Sequence, residues 1–124
     1  MKCLYLILFV CMFGIAGLLA CSAGDGNGDK KTQPKTVTVT MKSLSYEPKK
    51  LEVRVGDSVV WNNKAFAGHT ATSDDDGKTF DTGNVEPGTA SSPVKFNKEG
   101  EFKYHCVVHG KTMSGTIVVK AAEK

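Results

Sequence analysis

Cys106, His109 and Met113 form a Cys-x2-His-x3-Met run, and all three histidines of the chain fall between positions 69 and 109. His69 stands apart, upstream of that run and downstream of Trp61. The set comprises two imidazoles, a thiolate and a thioether. Thiolate and thioether are soft donors that suit Cu(I), whereas imidazole serves both oxidation states of copper. Two histidines and a cysteine in a plane, with a long, weak axial methionine, make the blue-copper electron-transfer arrangement. A site that neither oxidation state fully prefers reorganises little when an electron moves.

Such a site needs elements that hold four side chains from distant positions. Period-two alternation recurs along the chain. Val37, Val39 and Met41 alternate with polar residues, as do Leu51, Val53 and Val55. Gly56-Asp57 marks a turn, after which Val59 and Trp61 continue up to Asn62-Asn63. Val94 and Phe96 alternate before a turn at residues 97–100. Phe102, Tyr104 and Cys106 share one parity, and Ile117 and Val119 close the domain. Pro87-Gly88 and Asp74–Gly77 punctuate the middle. No long segment carries a helical stripe. The expected fold is all-β, an antiparallel Greek-key β-sandwich. Cys106 would end one strand and Gly115 to Val119 would form another, so that the Cys-His-Met run lies on the loop between them. His105 has the opposite parity to Cys106 and is expected to face away from the site.

The N-terminus reads as an address. Lys2 precedes an uncharged apolar stretch that ends Leu18-Leu19-Ala20-Cys21. A transmembrane anchor is one reading of it. The ending resembles a bacterial lipobox, which implies a signal peptide over 1–20 that is removed and a lipid on Cys21. Both readings place the rest of the chain outside the cytoplasm, periplasmic or at the cell surface. Cleavage would remove Cys3 and Cys11, leaving Cys106 as the one unlipidated cysteine. A disulfide framework is then impossible, and a lone thiol in an oxidising compartment calls for an occupant. Residues 21–34 carry the lipidated cysteine and a glycine-rich, apolar-poor stretch that reads as a flexible tether. The folded domain is expected over 35–122.

Composition narrows the function classes. Of 124 residues, 40% are hydrophobic and 23% charged, a globular balance that fits one small domain. The net charge of +3 is too mild for a nucleic-acid binder. Asp74-Asp75-Asp76-Gly77 lacks the glutamate that a calcium loop needs at its twelfth position, which here is Val85. It reads as a solvated turn.

Longer motifs carry a resemblance. Tyr46-x-Pro48-x2-Leu51-x-Val53-x2-Gly56-Asp57-x-Val59-x-Trp61-x-Asn63, Gly68-His69-Thr70, and Tyr104-x-Cys106-x2-His109 with Met113-x-Gly115-x-Ile117-x-Val119 resemble the cupredoxins of the plastocyanin, pseudoazurin and amicyanin type. The resemblance implies one type 1 copper, with His69, Cys106 and His109 equatorial and Met113 axial. It implies a monomeric electron carrier, not an enzyme, that meets transient protein partners such as a cytochrome or an oxidoreductase. Two departures stand out. Three residues separate His109 from Met113, between the shorter amicyanin-like and the longer plastocyanin-like spacing. Thr70 occupies the place where many relatives carry an asparagine that supports the thiolate. A threonine hydroxyl is the available substitute.

The combined expectation is a membrane-tethered blue copper protein that shuttles single electrons, with the exposed edge of His109 as the port. The small residues Ala67, Gly68 and Gly110 would keep that end flat. Two other readings use the same residues. A copper chaperone or scavenger would need an exchangeable site, and a metal-free β-sandwich binding module would be indifferent to copper. A multicopper enzyme is disfavoured, because there is no His-x-His pair and room for only one domain.

Overall fold

A computed structural model describes residues 33–123. The expected signal peptide and the lipidation site at Cys21 lie outside the described residues, as does nearly all of the expected tether. Eight strands follow in order: β1 (Thr36–Lys42), β2 (Ser45–Glu47), β3 (Lys50–Arg54), β4 (Ser58–Asn63), β5 (Thr72–Ser73), β6 (Val94–Lys95), β7 (Gly100–Cys106) and β8 (Gly110–Lys120). They form two sheets, ordered β2-β1-β4-β6 and β3-β8-β7-β5. This is the expected β-sandwich.

Alternation in the sequence becomes the two inner faces, because successive strand residues point to opposite sides. Val39 and Met41 of β1 point inward, as do Val59, Trp61 and Asn63 of β4. The facing sheet contributes Tyr104 and Cys106 from β7, with Met113, Ile117 and Val119 from β8. Trp61 stacks on Phe80 at 5.3 Å between centroids and meets Tyr104 edge-on at 5.5 Å. Tyr46 packs against Tyr104 at 4.6 Å.

Each sheet holds one parallel pair among antiparallel ones: β1 with β4, and β3 with β8. Connectivity explains the first. The chain turns from β1 into β2, crosses to the other sheet for β3, and crosses back to run β4 beside β1 in the same direction. One end of the sandwich therefore collects Lys35, the turn at Gly56-Asp57, Phe96 and Lys120. Hydrogen bonds there run from Ser58 N to Lys35 O, Gly56 N to Phe96 O and Val55 N to Lys120 O. Asp57 ties this end together, accepting from the N–H groups of Lys35 and Arg54 at 3.0 Å each. Burial pushes its carboxyl pKa up, but those donors outweigh burial and hold it below the ordinary aspartate value. Asn63 and Cys106 lie at the far ends of β4 and β7, at the other end of the sandwich.

Gly115 is set by packing. It pairs with Tyr104 across β7 and β8, and a Cβ on it would lie 2.5 Å from the Tyr104 ring and hydroxyl. No other residue fits without displacing that tyrosine.

Candidate metal centre

β7 carries Cys106 as its last residue, and β8 begins at Gly110, five residues earlier than the sequence suggested. The intervening loop is only Val107-Val108-His109. Gly110 closes it with a positive φ of 61°, a backbone region that glycine enters without strain. The ladder slips between His105 and Cys106, so that Cys106 pairs with Gly110. Met113 accordingly lies within β8 rather than on the loop. It is fully buried and shares the core cluster with Cys106.

The second limb of the site runs from Asn63 to Thr72. Asn63 is buried and holds this limb by both ends of its amide. Its Nδ2 donates to Ala67 O and Val85 O at 2.8 Å each, while Oδ1 accepts from Ala65 N at 2.8 Å. His69 pairs with Val85 through two backbone hydrogen bonds, of 3.2 and 2.7 Å. The ring of His69 is thereby fixed inside the fold, with no exposed surface.

The two limbs bring three donor atoms together. Nδ1 of His69 lies 3.2 Å from Nδ1 of His109. Cys106 Sγ is 3.8 Å from the first and 3.5 Å from the second. A point equidistant from all three atoms lies about 2.0 Å from each, within reach of the roughly 2.0–2.3 Å of metal–imidazole and metal–thiolate bonds. The donors therefore fit one small soft or borderline ion. Among the described residues this is the one group of three or more histidine, cysteine and acidic side chains arranged to hold a metal. Burial, with the neighbouring His109, pulls the His69 pKa below the ordinary histidine value. That keeps the ring in the neutral form a metal requires.

Thr70 joins the limbs, but through its backbone at the sulfur rather than through the hydroxyl that was expected to support the thiolate. Its backbone N–H donates to Cys106 Sγ at 3.4 Å, and its hydroxyl oxygen accepts from Val107 N at 2.9 Å. The Tyr46 hydroxyl donates to the Thr70 carbonyl from across the core. Three residues beyond sequence reasoning also serve this end. Asn63 enters the sequence reading only as the last residue of a strand motif, with no role at the site. Thr72 and Asp81, which continue the hydrogen bonding from Thr70, lie in a stretch without periodicity.

His105 faces outward, and its Nδ1 is 2.6 Å from Asp74 Oδ1. Asp75 is engaged by its own turn, accepting from the Ser73 hydroxyl and from N and Oγ1 of Thr79. Those hydrogen bonds bring its pKa down to about 2.

His109 is half-buried, so one edge of the site reaches the surface. Phe66 is fully exposed, and Val107 and Val108 are 60% and 64% exposed. The reason is local: His69 and Cys106 fill the inner face, and the residues between their anchors have no interior left to enter.

A family model described as copper binding proteins, plastocyanin/azurin family, matches residues 33–120. A chloroplast plastocyanin of Tetradesmus obliquus is 33% identical over 88 residues, which cover 63% of this chain and 60% of that protein. The chain thus spans three-fifths of the length of that relative. Among solved structures, an oxidised amicyanin variant aligns with a TM-score of 0.61 at 26% identity, over 68% of this chain and 81% of its own. A copper-containing nitrite reductase from Thermus scotoductus aligns with a TM-score of 0.61 at 31% identity, again over 68% of this chain but only 22% of its own.

Proposed function

The chain belongs to the plastocyanin/azurin family of copper-binding proteins, and from that premise we propose that it is a tethered electron carrier working outside the cytoplasm. Its cofactor is a single type 1 copper. The observation that carries the reading is the convergence of His69 Nδ1, His109 Nδ1 and Cys106 Sγ within 3.8 Å of one another. These three side chains would hold the copper together with the thioether of Met113, which is buried in the same core cluster as Cys106. Copper bound there supplies a one-electron Cu(II)/Cu(I) couple.

The protein's own part is to stay still. His69 is fixed by its Val85 pairing, and Cys106 is clamped by the Thr70 amide at its sulfur and the Thr70 hydroxyl at the next peptide. With Cys106 and Met113 in one packed sheet and His69 bridged to Val85, the ligands do not follow the preference of either oxidation state. The partly exposed edge of His109 is the port, and the apolar face of Phe66, Val107 and Val108 suits a brief, small contact with a redox protein. No catalytic role is assigned. The nitrite reductase likeness extends over 22% of that enzyme's chain, and sustained nitrite reduction by the purified protein would overturn the carrier reading. Lipid on Cys21 would keep the carrier near membrane partners, raising its effective concentration.

The test is spectroscopic. Residues 35–124, loaded with Cu(II), should show an intense thiolate-to-copper band and a narrow copper hyperfine splitting. A pale, ordinary Cu(II) spectrum that is the same in Cys106→Ala would return the protein to a metal-indifferent binding module. Loss of copper to a modest chelator would favour a copper-delivery role. Labelled fatty acid should appear on the full chain in a bacterial host and vanish in Cys21→Ser, and label that persists there would remove the lipid anchor.

A further inference from the structure

We infer that Asp81, an exposed residue that touches none of the four proposed ligands, is a positioning residue for the copper site and acts through Thr72 and Thr70. The chain of contacts is continuous. Val107 N is 2.9 Å from Thr70 Oγ1, which is 3.0 Å from Thr72 Oγ1, which is 3.0 Å from Asp81 Oδ1. Both threonines are buried, at 8% and 6% exposure, so water does not substitute readily for a missing partner. The Gly83 N–H also donates to Asp81 Oδ1, at 2.9 Å, and holds the carboxylate in place.

The two ends fix the direction of every hydrogen bond between them. A peptide N–H can only donate, so the Thr70 oxygen must accept from Val107. A carboxylate can only accept, so the Thr72 hydroxyl donates to Asp81. The remaining link is then settled: the Thr70 hydroxyl donates to Thr72. Such a one-way row strengthens each of its members. It also commits the Thr70 hydrogen to the side away from the Cys106 loop. The thiolate is left with the Thr70 amide as its donor, and the peptide after Cys106 is held by a fixed acceptor. Without Asp81, Thr72 can turn its hydrogen towards Thr70, and the order of the row is lost.

The spectroscopic arm rests on the copper reading above, but the structural arm does not. The variants are Asp81→Ala, Asp81→Asn, Thr72→Val and Thr72→Ser. Asparagine keeps an acceptor oxygen without the charge, and serine keeps the hydroxyl. In the copper-loaded protein, Asp81→Ala and Thr72→Val should shift the Cu(II)/Cu(I) equilibrium by about threefold or more in the same direction. Asp81→Asn and Thr72→Ser should stay within about twofold of wild type. The double variant Asp81→Ala/Thr72→Val should shift no further than either single, since both cut one row. In the copper-free protein, exchange of the Val107 amide should quicken about tenfold in Asp81→Ala and Thr72→Val.

Equal shifts in Asp81→Ala and Asp81→Asn, with Thr72→Val like wild type, would mean that the carboxylate acts by its charge alone and would overturn the inference. Unchanged values in all four would do the same. Should Thr72→Val fail to fold, the difference between the two Asp81 variants decides, because the row requires it and charge alone abolishes it. A wild-type protein that takes up no copper would defeat the functional reading instead, and the Val107 exchange rates would still test the row.

Discussion

Replacing Gly115 by alanine tests whether the sheet that bears the metal loop is packed as described. The added Cβ would lie 2.5 Å from both Cζ and the hydroxyl oxygen of Tyr104 and 2.9 Å from Cε1. Ordinary carbon contacts are about 3.5–4.0 Å, so the ring must retreat by roughly 1 Å. It has nowhere to go. Tyr104 is 1% exposed, with the rings of Tyr46, Trp61 and Phe80 at 4.6, 5.5 and 5.8 Å. Overpacking of this kind costs about 1–3 kcal/mol, and a ring enclosed on three sides puts the cost at about 2–3 kcal/mol. For a domain of this size each 1 kcal/mol lowers Tm by roughly 4–8 °C, so the expected loss is about 8–24 °C. Calorimetry of the copper-free domain measures it. Because Tyr104 stands two residues before Cys106 on the same strand, the copper-loaded variant should also show an altered thiolate-to-copper band. A Tm within 2 °C of wild type would refute the Tyr104–Gly115 register and the tight packing inferred from it.

Asp57 gives the acid limb of stability. Its folded pKa is below the unfolded value, so its contribution is complete above the unfolded pKa and is lost as pH falls through the folded one. Asp57→Ala should cost about 2 kcal/mol near neutral pH and flatten the decline of stability between neutrality and strong acid, and parallel urea midpoints for the two proteins across that range would contradict this. Met113→Leu conserves volume and should cost less than about 1.5 kcal/mol of stability. It should keep the strong visible band while moving the midpoint potential, and complete loss of colour would mean that Met113 is more than an axial ligand. Asn63→Ala removes three hydrogen bonds, two of them buried, from the limb that carries His69, for a loss of about 3 kcal/mol in denaturant titration. Copper affinity should fall with it, and an unchanged affinity would show that His69 is positioned by its Val85 pairing alone. His109→Ala should abolish the blue spectrum, whereas an unaltered one would remove His109 from the site.

Much of the site was legible because its chemistry is written in residue type and short spacing. Cys106 and His109 are three apart, and only a tight loop lets their donor atoms come as close as 3.5 Å. The strands were legible wherever one face is buried, as at Val39 and Met41, Val59 and Trp61, and Tyr104 and Cys106. Period two says which face a residue takes, but not which strand lies beside it. The parallel neighbours β1–β4 and β3–β8 depend on crossings between sheets that leave no local trace. The start of β8 was hidden for a related reason. Lys111 and Thr112 are both exposed, so the strand opens without alternation. Residues 74–93 were opaque. Phe80 and Val85 are core residues there, but the segment joins the sheets through single bridges, Thr72–Asp81, His69–Val85 and Asn62–Ala90, rather than a ladder. Isolated bridges impose no repeat, which is why Asp81 escaped notice, and Thr72 sits in a strand of two residues, too short to alternate, while Thr70 stands next to a ligand.

The parallel course of β1 and β4 has a consequence for orientation. β1 begins at Thr36, opposite Ser58, and runs towards Asn63 and the metal limbs. Its seven residues span about 20 Å. Lys120, the last residue of β8, returns to the same end as Lys35, through Val55. Both ends of the domain therefore emerge at the pole opposite His109. Whatever holds the chain ahead of residue 35, a bilayer, a bead or an electrode, holds it by its back. The attachment therefore leaves the histidine edge uncovered and free to meet an approaching molecule.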